Sequence, residues 1–101
     1  MSDHVYSIEE IRAIAAPIAQ RHGVNALYLF GSYARGEATP ASDMDFRIEK
    51  EHRFSLFQLA ALQLDLETSF RKPLDVLTTQ MLSPQFLRSI QAEEVLVYAR
   101  H

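Results

Sequence analysis

Apolar positions recur at two different periods along this chain, and the change from one to the other divides it into helices and strands. Ile8, Ile11, Ala15 and Ile18 follow at helical intervals behind Ser7-Ile8-Glu9-Glu10, which has the spacing of a capping box. A first helix is therefore expected to run to about His22, with Gly23 placed to end it. Pro17 falls inside that helix, removes one backbone hydrogen bond and is expected to bend it. Ala26-Leu27-Tyr28-Leu29-Phe30 is a short apolar, aromatic-rich run that stops at a glycine, which suits a buried strand. A Gly-Ser turn and a short helix through about Arg35 come next, and Gly36 to Ser42 has the composition of a loop leading into a strand at 43–49.

Ser55 then caps a longer helix to about Phe70, beyond the polar connection Glu51-His52-Arg53. This helix carries two apolar stripes, Leu59, Leu62, Leu66 and Phe70 on one side and Phe57, Ala60, Ala61 and Leu64 on another. One core needs only one stripe, so the helix is expected to be tucked deeply into the domain; the alternative is that its second stripe meets a partner chain. Lys72-Pro73 breaks the helix and Leu74 to Thr78 forms a third strand. Ser83-Pro84 opens a last helix with Phe86, Leu87 and Ile90 inward, and Val95-Leu96-Val97-Tyr98 is a terminal edge strand. The order predicts one α/β (α+β) layer sandwich, a single domain spanning 1–101, and not an alternating doubly wound sheet.

Composition narrows the function classes. With 101 residues there is room for one core, and the absence of cysteine excludes a disulfide framework and a thiolate zinc site. No signal peptide or membrane-spanning run is visible, so the chain is expected to be cytoplasmic. A formal net charge of -3, with Arg71-Lys72 and Lys50 with Arg53 as the only basic groupings, offers little with which to grip a nucleic acid; the expected acceptor is a protein or small molecule.

The chemistry gathers between Gly31 and Asp45. Gly31 has no side chain and Ser32 follows with a hydroxyl, so backbone amides in the turn can approach a phosphate where a helix begins. Ten residues separate Ser32 from Asp43, and strand alternation places Asp43 and Asp45 on one face with Met44, Phe46 and Ile48 on the other. Two like charges this close call for a cation, and hard oxygen ligands suit magnesium carrying substrate phosphates. Asp75, inside a short apolar strand, is costly to bury unless a cation or hydrogen bonds compensate it; the alternative is an edge-strand or capping aspartate. Arg35 is a candidate for a phosphate oxygen, and is equally placed to pair with Glu37 or an aspartate of the site. Arg47 falls on the acidic face, where it either neutralises the site or pairs with Glu49. Ser42 is expected to orient the loop before Asp43, and Tyr33 to pack rather than stack on a base. His4, His22, His52 and His101 show no ligand spacing.

Gly-Ser-x-Ala-Arg-Gly over 31–36 followed by Ser-Asp-x-Asp over 42–45 resembles the signature of the DNA polymerase beta-like nucleotidyltransferases, and in particular their minimal nucleotidyltransferase (MNT) proteins. The resemblance implies a small mixed sheet packed with helices. It implies that Asp75 is the third acidic residue, that Asp43, Asp45 and Asp75 hold two magnesium ions, and that Gly31, Ser32 and Arg35 bind ATP. It further implies transfer of AMP to a hydroxyl, with a tyrosine of a HEPN-domain toxin as acceptor and the chain as antitoxin in a hetero-oligomer. An aliphatic residue is frequent in such proteins where this chain has Arg47. Two other readings stay open: an antitoxin that masks its partner by contact alone, and an enzyme with a small-molecule acceptor.

Overall fold

A computed structural model describes residues 4–100. The ends 1–3 and His101 lie outside the described residues. Four helices, α1 (Ile8–His22), α2 (Ser32–Arg35), α3 (Leu56–Phe70) and α4 (Pro84–Gln91), alternate with four strands, β1 (Ala26–Phe30), β2 (Met44–Glu49), β3 (Leu74–Thr78) and β4 (Val95–Ala99). The helix ends are set locally. At α1 the Glu10 amide donates to Ser7 Oγ at 3.1 Å while the Ser7 amide donates to Glu10 Oε1 at 2.9 Å. Ser55 and Gln58 repeat this box at α3, and Ser83 caps α4 with Pro84 just inside it. α1 continues through Pro17; Ala13 and Pro17 are both exposed, so the carbonyl that proline cannot bond faces water.

The strands form one mixed sheet in the order β3-β2-β1-β4. β1 runs antiparallel to both neighbours, whereas β2 and β3 are parallel, as the α3 crossover between them requires. Leu27, Leu29, Met44, Phe46, Ile48, Leu74 and Val76 line one face of the sheet and pack against Ile11, Ala15 and Ile18 of α1 and Leu59, Leu62, Leu66 and Phe70 of α3. β4 is an edge strand, as its position in the sequence suggests, and Arg12 Nε donates to its Leu96 carbonyl at 3.1 Å. α4 lies over the opposite face, where Ile90 is buried as expected. Phe86 and Leu87, expected inward with it, are not: Phe86 meets the ring of Phe30 edge to face at 6.2 Å yet stays 45% exposed, and Leu87 is half-buried, because one short helix covers that face.

The expectation that α3 is tucked deeply into the domain does not hold. Its first stripe is buried, but Leu56, Phe57 and Leu64 are 74%, 88% and 65% exposed. α3 packs against α1 and the β3 edge of the sheet, and among the described residues none covers its outer side.

Candidate active site

The second face of the sheet carries the polar side chains, and strand register decides which of them meet. Asp45 lies opposite Phe30 on β1 and opposite Asp75 on β3, so the two aspartates stand side by side on parallel strands. Gly31 follows Phe30 with φ 79° and ψ -156°, a conformation essentially confined to glycine. A Cβ at this position would stand 2.5 Å from Asp45 Oδ2, so the chain turns here only because no side chain intervenes. The glycine thus fixes the phosphate-loop candidate directly against the carboxylate.

α2 is a single turn closed by Gly36, and the Glu37 amide donates to the Ser32 carbonyl at 2.9 Å. The opening amides of such a turn have no acceptor within the helix. Tyr33 is buried and holds the turn to the core, and Lys72 Nζ donates to its hydroxyl at 2.8 Å; it packs, as expected. Ser42 does orient its loop: its Oγ accepts from the Thr39 amide at 2.9 Å and its own amide donates to the Thr39 carbonyl at 2.9 Å.

The three aspartates sit in unequal surroundings. Asp43 precedes β2 and is exposed, as is Asp75, whereas Asp45 is half-buried. Asp75 is thus the edge-strand aspartate of the two alternatives, because the β3 face that is covered belongs to Leu74, Val76 and Thr78, and the loss of water falls on Asp45. Burial pushes the Asp45 carboxyl above the usual aspartate range, the charges of Asp75 and Asp43 push it further, and Arg35 opposes them. All three carboxylates and one guanidinium thus act on the same point. Among the described residues no three acidic, histidine or cysteine side chains converge into a ready-made metal site. The charge arrangement still fits a divalent cation, since one placed among these carboxylates would relieve the repulsion that raises Asp45.

The arginines behave differently from each other. Arg35 pairs with Glu37 at 3.3 Å, one of the expected options, and also with Glu93 at 3.1 Å. Arg47 is 1% exposed; it donates to Glu94 at 2.6 and 3.0 Å, to Glu49 at 3.2 Å and to Thr79 Oγ1 at 2.8 Å, with the Tyr28 ring 4.3 Å from its guanidinium carbon. Its pairing with Glu49 was among the options; its commitment to Glu94 leaves it engaged away from the aspartates. Glu93 and Glu94 were missed in the sequence, where a Glu-Glu pair before a terminal strand is indistinguishable from a solvated turn. His22, expected as a plain helix C-terminal residue, meets Asp65 of α3 at 2.8 Å. A cavity of about 580 Å³ opens beside Asp43 between Tyr6, Phe70, Lys72 and Pro73.

Residues 12–101 match the family model "Polymerase beta, Nucleotidyltransferase". A candidate protein adenylyltransferase of Methanocaldococcus jannaschii, MJ0435, is 38% identical over 89 residues, covering 88% of this chain and 96% of the relative. Protein adenylyltransferase MntA of Thermococcus cleftensis is 30% identical over 95 residues, covering 90% and 96%. The solved structure of a candidate minimal nucleotidyltransferase superposes with a TM-score of 0.79 at 30% identity, covering 89% of this chain and 95% of that one. The fold is also that of the MNT antitoxin solved in complex with a tri-AMPylated HEPN toxin of Shewanella oneidensis, at a TM-score of 0.64 and 14% identity, covering 83% of this chain and 66% of that one. The chain belongs to the polymerase beta nucleotidyltransferase family, as a minimal nucleotidyltransferase of the protein adenylyltransferase group.

Proposed function

We propose that this protein transfers AMP from ATP to a tyrosine hydroxyl of a HEPN-domain toxin and so acts as its antitoxin in the cytoplasm. The observation that carries the reading is the register that sets Asp45 beside Asp75, with Gly31 against Asp45 Oδ2. Amides at Gly31 and Ser32 receive the triphosphate, and Arg35 supplies a positive charge from the same turn. The acceptor oxygen forms its bond to the α-phosphorus as the bond from that phosphorus to the bridging oxygen breaks, and pyrophosphate leaves. Asp75, exposed at the edge of the sheet, is the side chain placed to take the hydroxyl proton. Asp43, Asp45 and Asp75 would hold magnesium, as one or two ions, which when bound compensates the triphosphate charge and acidifies the attacking hydroxyl. The cavity beside Asp43 falls in the size range of nucleotide and small-ligand sites.

A protein acceptor is supported by the net charge of -3, by the names of the sequence relatives and by the complex formed by the Shewanella oneidensis neighbour. The outer stripe of α3 is the surface we assign to contact with the partner. Phe57→Asp combined with Leu64→Asp is expected to weaken the complex at least about tenfold, since central apolar anchors dominate such interfaces. Because both side chains already face water, the melting temperature should stay within a few degrees of the parent; size-exclusion chromatography beside thermal denaturation reads both.

The reaction is tested by intact-mass spectrometry of the co-purified partner after incubation with ATP, magnesium and this chain. Adenylyl-sized increments that vanish with Asp43→Asn, Asp45→Asn are expected. A tight complex without increments would replace this reading with masking by contact, and the absence of any complex would direct the search to small-molecule acceptors.

A further inference from the structure

Where α4 gives way to β4, two consecutive glutamates each hold an arginine: Glu93 holds Arg35, whose charge acts on Asp45, and Glu94 holds Arg47, two residues past Asp45 on β2. Glu94 is buried with Arg47: their side chains are 9% and 2% exposed, and the guanidinium meets both carboxylate oxygens, at 2.6 and 3.0 Å. The amides of Glu93 and Glu94 both donate to the carbonyl of buried Ile90, at 3.0 and 2.8 Å, so the backbone here is fixed from two directions. Glu93 then meets Arg35 with both of its oxygens, at 3.1 and 3.3 Å. The other carboxylate on Arg35, Glu37, lies two residues further along the same stretch of chain and is 63% exposed, so it travels with the arginine rather than restraining it. Glu93 is therefore what ties the Arg35 guanidinium to the turn between α4 and β4.

We propose that Glu93 is a positioning residue that holds the Arg35 guanidinium at the phosphate loop, with the buried Arg47–Glu94 pair keeping Glu93 within reach. This rests on the reading of Gly31 to Arg35 as the triphosphate loop. A long arginine side chain left free must be ordered each time nucleotide binds, and an arginine already held in place avoids much of that entropic cost. Glu93 and Arg35 exchange no proton with the substrate; the contribution is orientation. The sign of the effect separates orientation from simple charge. Removing a carboxylate near an anionic triphosphate should by charge alone tighten binding, whereas loss of orientation weakens it.

The test is isothermal titration of α,β-methylene ATP with magnesium, whose α,β bridge cannot be cleaved, into the parent, Glu93→Gln, Arg35→Gln and the double variant. Glu93→Gln is expected to raise Kd roughly fivefold to tenfold, the range of one or so charge-assisted hydrogen bonds. In the Arg35→Gln background the same change should have no further effect, and Glu37→Gln should shift Kd by less than about twofold. In transfer assays KM for ATP should rise with kcat little changed. Unchanged or tighter binding by Glu93→Gln, or an equal loss when Arg35 is already absent, overturns the inference. So does an Arg35→Gln variant that binds as the parent does, and in that case adenylyl increments on the partner would leave the proposed function standing. A parent chain that binds no analogue overturns both.

Discussion

Asp45→Asn is expected to lower AMP transfer by at least about two orders of magnitude while raising the melting temperature of the protein. The two effects share one origin. Asp45 is half-buried, and burial together with Asp75 and Asp43 disfavours its ionised form. An aspartate whose folded pKa is raised lends stability below its unfolded pKa and loses it as pH rises through the folded value. At neutral pH the charged side chain therefore works against the fold, and asparagine, nearly isosteric and neutral, removes that penalty. The gap in melting temperature between variant and parent should close on acidification, as the parent carboxyl takes up its proton. Magnesium should close it too, by stabilising the parent and not the variant. Thermal denaturation across pH, with and without magnesium, checks both; a variant less stable than the parent at neutral pH would contradict this account of Asp45.

Gly31→Ala is expected to damage fold and reaction together. At φ 79° and ψ -156° the backbone is in a region that costs a non-glycine residue about 1–3 kcal/mol. The new methyl would also stand 2.5 Å from Asp45 Oδ2, so the carboxylate or the turn must move. Displacing a reacting group by an ångström costs on the order of a hundredfold in rate, and transfer should fall by about that much. Gly23→Ala is the control for strain alone: its φ is 74°, but nothing stands within 4 Å of the added carbon. It should lose about 1 kcal/mol and keep transfer at the parent level. Chemical denaturation and the mass assay separate the cases; parent-like activity in Gly31→Ala would mean that the close approach of Gly31 to Asp45 has no part in the reaction.

The same contrast between local and distant determinants runs through the whole molecule. The helix starts are legible because Ser7 with Glu10 and Ser55 with Gln58 satisfy each other's backbone donors within four residues, so the signal and the structure occupy the same stretch. The strands are legible as short apolar runs set off by glycine or proline and, at β2, from alternation, which also places Asp45 and Arg47 on the face opposite Met44, Phe46 and Ile48. For Asp75 the sequence left burial and an edge-strand position open, and the strand order decides between them. Asp75 lies on an edge strand and is exposed, while Asp45, on an inner strand between Phe30 and Asp75, is the one that loses water.

By itself, then, the sequence determined the order of the helices and strands and where the capped helices start, which residues form the phosphate-loop candidate, and that Asp43 and Asp45 belong to one acidic patch. It set the start of β2 at 43, one residue before Met44, and did not show the 3-10 turn Thr79–Met81. Capping, period and glycine placement are properties of short stretches, so short stretches suffice to show them. Only the tertiary structure decided that Asp45 and Asp75 stand in register, that Arg35 and Arg47 find glutamates 58 and 47 residues away, and that the second stripe of α3 faces outward. Those outcomes depend on strand order, register and the side from which a helix docks, and local patterning does not encode where a distant segment will come to rest.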